Sequence, residues 1–241
     1  MGSEGELGMT KIISIANPAG GTGKTTTARA IATSAVEYGQ RTLLVDLDER
    51  ATLTFLHGVE NPRHTVVDVL HGQATLATAG LSTAERYMFL PATSRNSVLE
   101  RNPEQESWSK NFRKAISEAE FPIDLVVLDL PSSISQANAW GLSVADSVVV
   151  PFLDSLSAIR GAIQVKNLHP DKNQALAIMQ KDLSSTFTSE LAHEMPLLDT
   201  AIPKAAQIGA SELKKQSVLS SAKEAPVSQA YREMTYFLLG L

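Results

Sequence analysis

The sequence predicts an α/β fold in which helices cover both faces of a twisted, mostly parallel β-sheet. Three observations lead to this prediction. Short apolar runs alternate along the chain with longer helical patterns, the order that a parallel sheet requires. The chain has 241 residues, of which 43% are hydrophobic, enough to bury one large core. A glycine-rich turn, Gly20-Gly21-Thr22-Gly23, separates the first apolar run from the first helical pattern.

The predicted strands are short apolar runs, and two of them end in aspartates. Asp46 and Asp48 lie at the carboxyl end of the run Arg41–Asp48, and Asp129 lies near the end of Ile123–Pro131. Because ligands of open parallel sheets sit at the carboxyl ends of the strands, these acids are expected to face one site, although they could merely end strands. The other predicted strands are Ile13–Ala16, Arg86–Pro91, Asp146–Phe152, Ala175–Gln180 and Leu197–Pro203.

The predicted helices follow the strands in order. The first opens at Lys24, and the last spans Pro226–Leu239. Between them we predict helices over Thr52–Gly58, Val66–Gly72, Ser109–Glu120, Ser155–Asn167, Ser184–Glu194 and Ala206–Gln216. The polar stretch Ser94–Trp108 is predicted to be an exposed loop. Residues 1–8 are small and acidic, and we interpret them as a disordered extension or an expression remnant, leaving 9–241 as a single domain.

Composition excludes several function classes. The chain has no cysteine, which excludes disulfides, thiolate zinc sites, iron–sulfur clusters and cysteine nucleophiles. Its five histidines are scattered without metal-ligand spacing, and no apolar run reaches the length of a membrane span, so a cytoplasmic protein is expected. The formal net charge of −5 restricts any nucleic-acid contact to a local patch. The candidate patch is C-terminal: Lys204, Lys214, Lys215, Lys223 and Arg232.

The glycine-rich turn has the chemistry of a phosphate-binding loop. Glycines allow backbone N–H groups to surround phosphate oxygens at the positive end of the following helix. Lys24 would lie along the β- and γ-phosphates, and the Thr25 hydroxyl would reach Mg²⁺. An ordinary glycine turn before a helix is the alternative. The strand before the turn and the helix after it favour the nucleotide site.

These motifs resemble those of the ParA/MinD branch of P-loop ATPases. The family's variant Walker A pattern, Lys-Gly-Gly-x-Gly-Lys-Thr, is matched from Gly20 through Thr26. The segment with Asp46 and Asp48 resembles the family's Asp-x-Asp-Pro-Gln switch, and Asp129-Leu-Pro its Asp-x-Pro switch. The resemblance extends from Lys11 to Leu241, and the ending is most similar to that of partition ParA proteins.

The resemblance implies a set of roles for these residues. Lys24 and Asp48 would be catalytic, with Asp48 positioning the attacking water, and Gln180 and Pro203 would read adenine. The implied magnesium-side residues are Thr25, Asp46 and Asp129, and the implied nucleotide contacts also include Ala19, Gly20, Gly21, Thr22, Gly23, Lys24, Thr25 and Thr26. The implied cofactors are ATP or ADP with Mg²⁺.

The resemblance also implies partners. Family members form homodimers with ATP, bind DNA without sequence preference, and hydrolyse ATP slowly until a ParB-like or adaptor protein stimulates them. It implies an ATP-dependent dimerisation switch that positions or segregates DNA or another cargo, in the cytoplasm and on the nucleoid, without a membrane partner. Two alternatives stay open: a MinD-like membrane-associated positioning ATPase, and a small-molecule ATP-dependent ligase of the same superfamily.

One departure from the family pattern concerns catalysis. The family's signature lysine is replaced by Ala19, which carries no charge to the transferred phosphate. A cation at that phosphate is worth about 10³ to 10⁵ in rate in related enzymes, so its loss would impair hydrolysis while leaving ATP binding intact. Three explanations are open: an engineered trap, a natural member that uses another cation, and a pseudo-ATPase. Arg160 is one candidate replacement, and a solvated helix residue is its alternative reading.

Overall fold

A seven-stranded β-sheet forms the centre of the molecule. The computed structural model describes residues 10–101, 104–169, 171, 173–177 and 186–240. In these residues the sheet has the order β3-β4-β2-β5-β1-β6-β7. The strands are β1 (Lys11–Ile15), β2 (Thr42–Asp46), β3 (Leu81–Ser82), β4 (Met88–Leu90), β5 (Leu125–Asp129), β6 (Ser147–Phe152) and β7 (Asn173–Ala177). Every pairing is parallel except that of β3 with β4. The predicted α/β class and mostly parallel sheet are confirmed.

Helices connect the strands in the described part of the chain. The N-terminal half contains α1 (Lys24–Glu37), α2 (Thr52–Leu56), α3 (Val66–Leu70), α4 (Leu76–Ala79), a 3₁₀ turn (Ser94–Ser97), α5 (Val98–Arg101) and α6 (Gln105–Ser117). The C-terminal half contains α7 (Gln136–Val144), α8 (Leu156–Leu168), α9 (Thr186–Glu194), α10 (Ala206–Leu213), α11 (Val218–Ser221) and α12 (Pro226–Leu239). None of these helices is both long enough and apolar enough to cross a membrane.

The core lies in two layers, one on each face of the sheet. Successive side chains of a strand point to opposite faces, so β5 supplies Val126 and Leu128 to one layer and Leu125 and Val127 to the other. Helices α3, α6, α7 and α8 cover the first layer, and α1, α11 and α12 cover the second. Helices therefore lie on both faces of the sheet, as the alternation of strands and helices along the sequence predicts.

The prediction of an exposed loop over Ser94–Trp108 is wrong. This stretch forms the 3₁₀ turn, α5 and the beginning of α6, and the side chains of Leu99 and Trp108 are fully buried. The Trp108 indole packs edge-on against Trp140 with ring centroids 6.4 Å apart. Two large apolar side chains spaced among polar ones are enough to anchor this segment to the core, although its average composition is that of a loop.

Three further differences involve strands and helices. The helix α7 was not predicted; it is capped by Ser135, whose Oγ accepts a hydrogen bond of 3.1 Å from the Asn138 amide. The segment Leu197–Pro203, predicted as a strand, forms no strand of the sheet. The predicted strand Ala175–Gln180 is β7, which begins two residues earlier, and residues 178–180 lie outside the described part of the chain.

Candidate functional site

The phosphate-binding loop lies between β1 and α1, at the carboxyl edge of the sheet. Gly21 and Gly23 have φ values of +72° and +87°, in the left-handed region that residues with a Cβ rarely adopt. Gly23 is the N-cap of α1, and no side chain caps this helix end. The backbone N–H groups of the first turn are thus left for an anion, and the helix dipole favours negative charge at the same place.

Asn17 attaches the loop to the neighbouring elements. Its fully buried side chain donates hydrogen bonds of 2.9 Å to the Pro151 carbonyl and 3.1 Å to the Ala158 carbonyl. Its Oδ1 accepts a bond of 2.9 Å from the Ala19 amide. Gly161 of α8 packs so closely that a Cβ at this position would lie 2.2 Å from Asn17 Oδ1. The loop conformation is therefore set by β6 and α8 as well as by its own glycines.

Lys24 is the buried cation of the loop. It is only 6% exposed, and its Nζ donates a hydrogen bond of 3.1 Å to the Ala19 carbonyl. Burial lowers the pKa of Lys24, while the charges of Asp129 and Asp48 oppose this change. The Ala19 side chain is a methyl group, so this position supplies only backbone groups.

Thr25 and Asp129 form a pair suited to a divalent cation. The Thr25 hydroxyl donates a hydrogen bond of 2.7 Å to Asp129 Oδ2. Asp129 is 2% exposed, and its Oδ1 is buried without a hydrogen-bond partner. Burial raises the pKa of Asp129 to about 8, and the charge of Asp46 acts in the same direction. A hydroxyl and an unpartnered carboxylate oxygen are ligands that Mg²⁺ prefers, so these residues fit the ion that the motif implies.

Asp46 organises the segment that follows β2. It lies beside Asp129 in the register of β2 with β5. Its Oδ1 accepts a hydrogen bond of 3.0 Å from the Asp48 amide, and its Oδ2 accepts bonds from the Thr54 amide and hydroxyl at 2.9 Å and 2.8 Å. Burial raises the pKa of Asp46 to about 7, although these bonds oppose the change. Both carboxylate oxygens are engaged, so Asp46 holds this segment against α2.

Asp48 lies at the edge of the same site. Its Oδ1 accepts a hydrogen bond of 2.9 Å from the Arg50 amide and lies 3.4 Å from Arg50 Nε. The Asp48 side chain is 14% exposed, whereas that of Arg50 is 62% exposed. Its amide bonds to Asp46, which lies beside Asp129, so Asp48 follows directly after the carboxyl end of β2. The structure thus places Thr25, Asp46, Asp48 and Asp129 at one edge of the sheet, next to the loop that carries Lys24.

Arg29 joins α1 to three other parts of the chain, a connection that sequence reasoning missed. Its guanidinium donates to the Leu56 carbonyl at 3.1 Å, to the Lys215 carbonyl at 2.7 Å and to Glu85 Oε2 at 3.2 Å. The Arg29 and Glu85 side chains are 7% and 8% exposed. The available signal was an arginine in an otherwise small and apolar helix pattern, which indicates a buried partner elsewhere.

A family model described as an AAA domain matches residues 10–178, more than half of the chain. The chain belongs to the ParA/MinD family of P-loop ATPases. It is 26% identical to the chromosome partitioning protein ParA of Caulobacter vibrioides over 245 residues, covering 93% of this chain and 92% of ParA. It is also similar to an uncharacterised protein of Pseudomonas putida, 33% identical over 160 residues, which cover 64% of this chain; the match spans only 60% of that relative's length.

Two solved structures share the fold of this chain. Cobyrinic acid a,c-diamide synthase from Mycobacterium smegmatis, solved with ADP and magnesium, is 26% identical with a TM-score of 0.74, over 96% of this chain and 94% of that one. The septum site-determining protein MinD of Pyrococcus horikoshii, solved with Mg-ADP, is 22% identical with a TM-score of 0.79, over 95% and 96% of the two chains. Because the identity to MinD is only 22%, this second similarity concerns the fold alone.

Of the other candidate residues, Pro203 and Arg160 lie among the described residues and Gln180 does not. Pro203 lines an open cavity of about 440 Å³ together with Thr200, Pro226 and Gln229. Gln180 lies outside the described residues. Arg160 is exposed on α8, next to Gly161.

The five C-terminal cations of this ParA/MinD-family chain differ in their surroundings. Lys204, Lys214, Lys215 and Lys223 are exposed. Lys215 Nζ lies 5.0 Å from the centroid of the Phe55 ring. The Arg232 guanidinium donates a hydrogen bond to each oxygen of the Glu37 carboxylate, at 2.6 Å and 3.2 Å, so its charge is already paired within the protein.

Proposed function

We propose that this chain is an ATP-dependent dimerisation switch of the ParA type. In this proposal it binds ATP with Mg²⁺, forms a homodimer, hydrolyses ATP slowly, and positions or segregates DNA or another cargo. The observation that carries the proposal is the Thr25–Asp129 pair, with its buried, unpartnered carboxylate oxygen, next to the uncapped start of α1. Family membership supports ATP as the nucleotide.

Each residue of the site has a part in this function. The loop amides and Lys24 bind the phosphates, and Thr25 and Asp129 hold Mg²⁺, which when bound neutralises phosphate charge. Asp48 orients the attacking water at the open side of the loop, and Asp46 holds the Asp48 segment in place through Thr54. Asp46 therefore serves as a positioning residue. Ala19 supplies no cation, which agrees with slow hydrolysis.

DNA and a stimulating protein are the proposed partners. The exposed lysines, Lys204, Lys214, Lys215 and Lys223, support contacts with DNA phosphates without base readout. Arg232 contributes less, because Glu37 already neutralises it. The naming of the Caulobacter relative as a chromosome partitioning protein supports DNA as cargo. A ParB-like or adaptor protein would accelerate hydrolysis, and the protein would act in the cytoplasm on the nucleoid.

A small-molecule ATP-dependent ligase is the second candidate, favoured by the 26% identity to cobyrinic acid a,c-diamide synthase. Such an enzyme needs a substrate pocket beside the γ-phosphate. A cavity of about 500 Å³ is lined by Thr10, Ile12, Ile123 and Asp146, which lie at the amino ends of parallel strands. That end of the sheet is opposite the phosphate loop, so this cavity does not serve the ligase reading.

A MinD-like membrane ATPase would need basic residues among large apolar ones in a terminal helix. Tyr236 and Phe237 are exposed at the end of α12, but the basic residue of that helix, Arg232, is paired with Glu37. The ParA reading is therefore preferred.

The test measures nucleotide binding and mass together. Fluorescent ATP and ADP are titrated with and without Mg²⁺, and the mass is read by light scattering with ATP, with ADP and without nucleotide. We expect Mg²⁺-dependent ATP binding and a dimer with ATP alone. Asp129→Asn is expected to weaken binding about 10- to 100-fold in Mg²⁺ only, and Glu118→Gln, an exposed residue just after α6, is the control. A wild-type chain that binds no nucleotide would refute the proposal.

A further inference from the structure

The site described above lacks a second cation at the transferred phosphate. Lys24 is held by the Ala19 carbonyl, and position 19 itself carries only a methyl group. During hydrolysis a water oxygen bonds to the γ-phosphorus, and the bond to the bridging oxygen breaks with its electrons left on ADP. The water proton passes to the released phosphate. Charge on the γ-phosphoryl oxygens and the bridging oxygen must be stabilised as this happens.

Arg50 is the cation closest in the chain to the residue that orients the water. Its amide and its Nε both contact Asp48 Oδ1, at 2.9 Å and 3.4 Å. The following residue, Ala51, has φ +50°, the left-handed conformation that turns the chain into α2. The Arg50 side chain is 62% exposed, and its contact with Asp48 is long at 3.4 Å, so it can turn toward a bound nucleotide.

Hydrogen bonds connect Arg50 to the magnesium side of the site. Asp46 lies beside Asp129 in the register of β2 with β5, and its Oδ1 accepts a bond of 3.0 Å from the Asp48 amide. Asp48 in turn accepts a bond of 2.9 Å from the Arg50 amide. A guanidinium on this segment suits phosphate oxygens, which it can bind through two N–H groups at once.

We propose that Arg50 is a catalytic residue that supplies, within the same chain, the cation missing from position 19. This inference rests on the proposed ATPase function. The Asp48 segment thus carries both the residue that orients the water and the one that stabilises the charge that develops on the γ-phosphate. Arg160, the earlier candidate, lies on α8, and the described residues show no ion pair or hydrogen bond between it and Asp48 or Lys24.

The experiment compares four variants with the full chain. Arg50→Ala removes the charge, Arg50→Lys keeps it, Arg160→Ala tests the rival, and Arg63→Ala, an exposed arginine outside the site, is the control. ATP turnover is measured with and without DNA. Binding of ADP with aluminium fluoride, which imitates the transferring phosphoryl group, is measured beside binding of ATP, and melting curves establish that each variant folds.

We expect Arg50→Ala to lower turnover and the affinity for ADP with aluminium fluoride by about 10²- to 10³-fold, with ATP affinity unchanged. Arg50→Lys should retain part of both, and Arg160→Ala and Arg63→Ala should match the wild type. If the wild type turns ATP over and Arg50→Ala does so equally, the inference fails while the proposed function stands. A wild type that binds ATP but never hydrolyses it overturns both.

A mixing experiment tests whether Arg50 acts in its own subunit. Asp48→Asn and Arg50→Ala proteins are combined before ATP is added, so that mixed dimers form. If Arg50 acts within its own chain, neither subunit of a mixed dimer has a complete site and the mixture stays inactive. Recovery of turnover in the mixture would show that Arg50 acts across the dimer, and would overturn the assignment within one chain.

Discussion

Replacement of Gly161 by alanine should destabilise the protein, against the usual preference of helices. Alanine is favoured over glycine inside a helix by about 1 kcal/mol. At Gly161, however, the added Cβ would lie 2.2 Å from Asn17 Oδ1 and 3.3 Å from the Ala19 amide nitrogen. Asn17 must then give up some of its three hydrogen bonds, each worth about 1 kcal/mol. The expected net loss is about 1 to 2 kcal/mol in the free energy of unfolding.

The assay is urea unfolding, read with and without Mg²⁺ and ATP, together with nucleotide titration. Gly209→Ala is the matched control, because Gly209 is also helical and a Cβ there meets nothing within 4 Å. This control should gain up to about 1 kcal/mol. Gly161→Ala should in addition bind ATP more weakly, because Asn17 holds the Ala19 amide in the phosphate loop.

A double variant gives the decisive comparison. With Asn17→Ala in place the clash with the side-chain oxygen is gone, so adding Gly161→Ala should cost nothing or stabilise the protein, as at Gly209. The effect of Gly161→Ala on the free energy of unfolding would then differ in sign between the two backgrounds, and only the contact between residues 17 and 161 explains such a difference. The reasoning is refuted if Gly161→Ala stabilises the wild-type background as much as Gly209→Ala does.

Three further changes test other parts of the fold by urea unfolding. The hydrogen bond from Arg41 lowers the pKa of Asp124, so Asp124→Asn should lower the free energy of unfolding by up to about 1 kcal/mol above about pH 4, the pKa of an unfolded aspartate. This loss should vanish as the pH falls through the lowered pKa of the folded protein. A loss that does not depend on pH would contradict the prediction. Glu85→Gln leaves the buried Arg29 without its carboxylate and should cost about 3 kcal/mol, and a neutral result would show the pair is not needed. Trp108→Ala should lower the free energy of unfolding by about 3 to 5 kcal/mol, because the side chain is fully buried. A loss close to zero would mean that Trp108 lies on the surface.

Much of the site could be predicted because its chemistry is local in the sequence. The glycines, Lys24 and Thr25 lie in one continuous turn, whose residue types already specify a phosphate loop. The contact of Thr25 with Asp129 joins residues 104 positions apart. It followed from a general rule, that strand ends of a parallel sheet meet at one edge. The order of the strands, which puts Asp46 next to Asp129, was not readable from composition or periodicity.

The rest depended on partners that are distant in the sequence. Arg29 looked like one more helix residue, because its carboxylate partner, Glu85, is 56 residues away. The stretch Ser94–Trp108 looked like a loop, because the average polarity of a segment does not reveal that Trp108 has Trp140 to pack against. Tertiary packing decided both cases, and it outweighs local composition wherever one large side chain finds a buried neighbour.

The Arg29 guanidinium also limits how far the Asp48 segment can travel. That segment starts at Asp46, fixed in the sheet, and ends at Leu56, whose carbonyl is tied to α1. Because this segment is anchored at both ends, any displacement on nucleotide binding is confined to the residues between the two anchors. The Lys215 carbonyl accepts a hydrogen bond from the same guanidinium, so Arg29 also ties the C-terminal segment to α1. The outward side of the Asp48 segment carries Arg50 and the exposed ring of Phe55, so a displacement of this segment would move these two side chains.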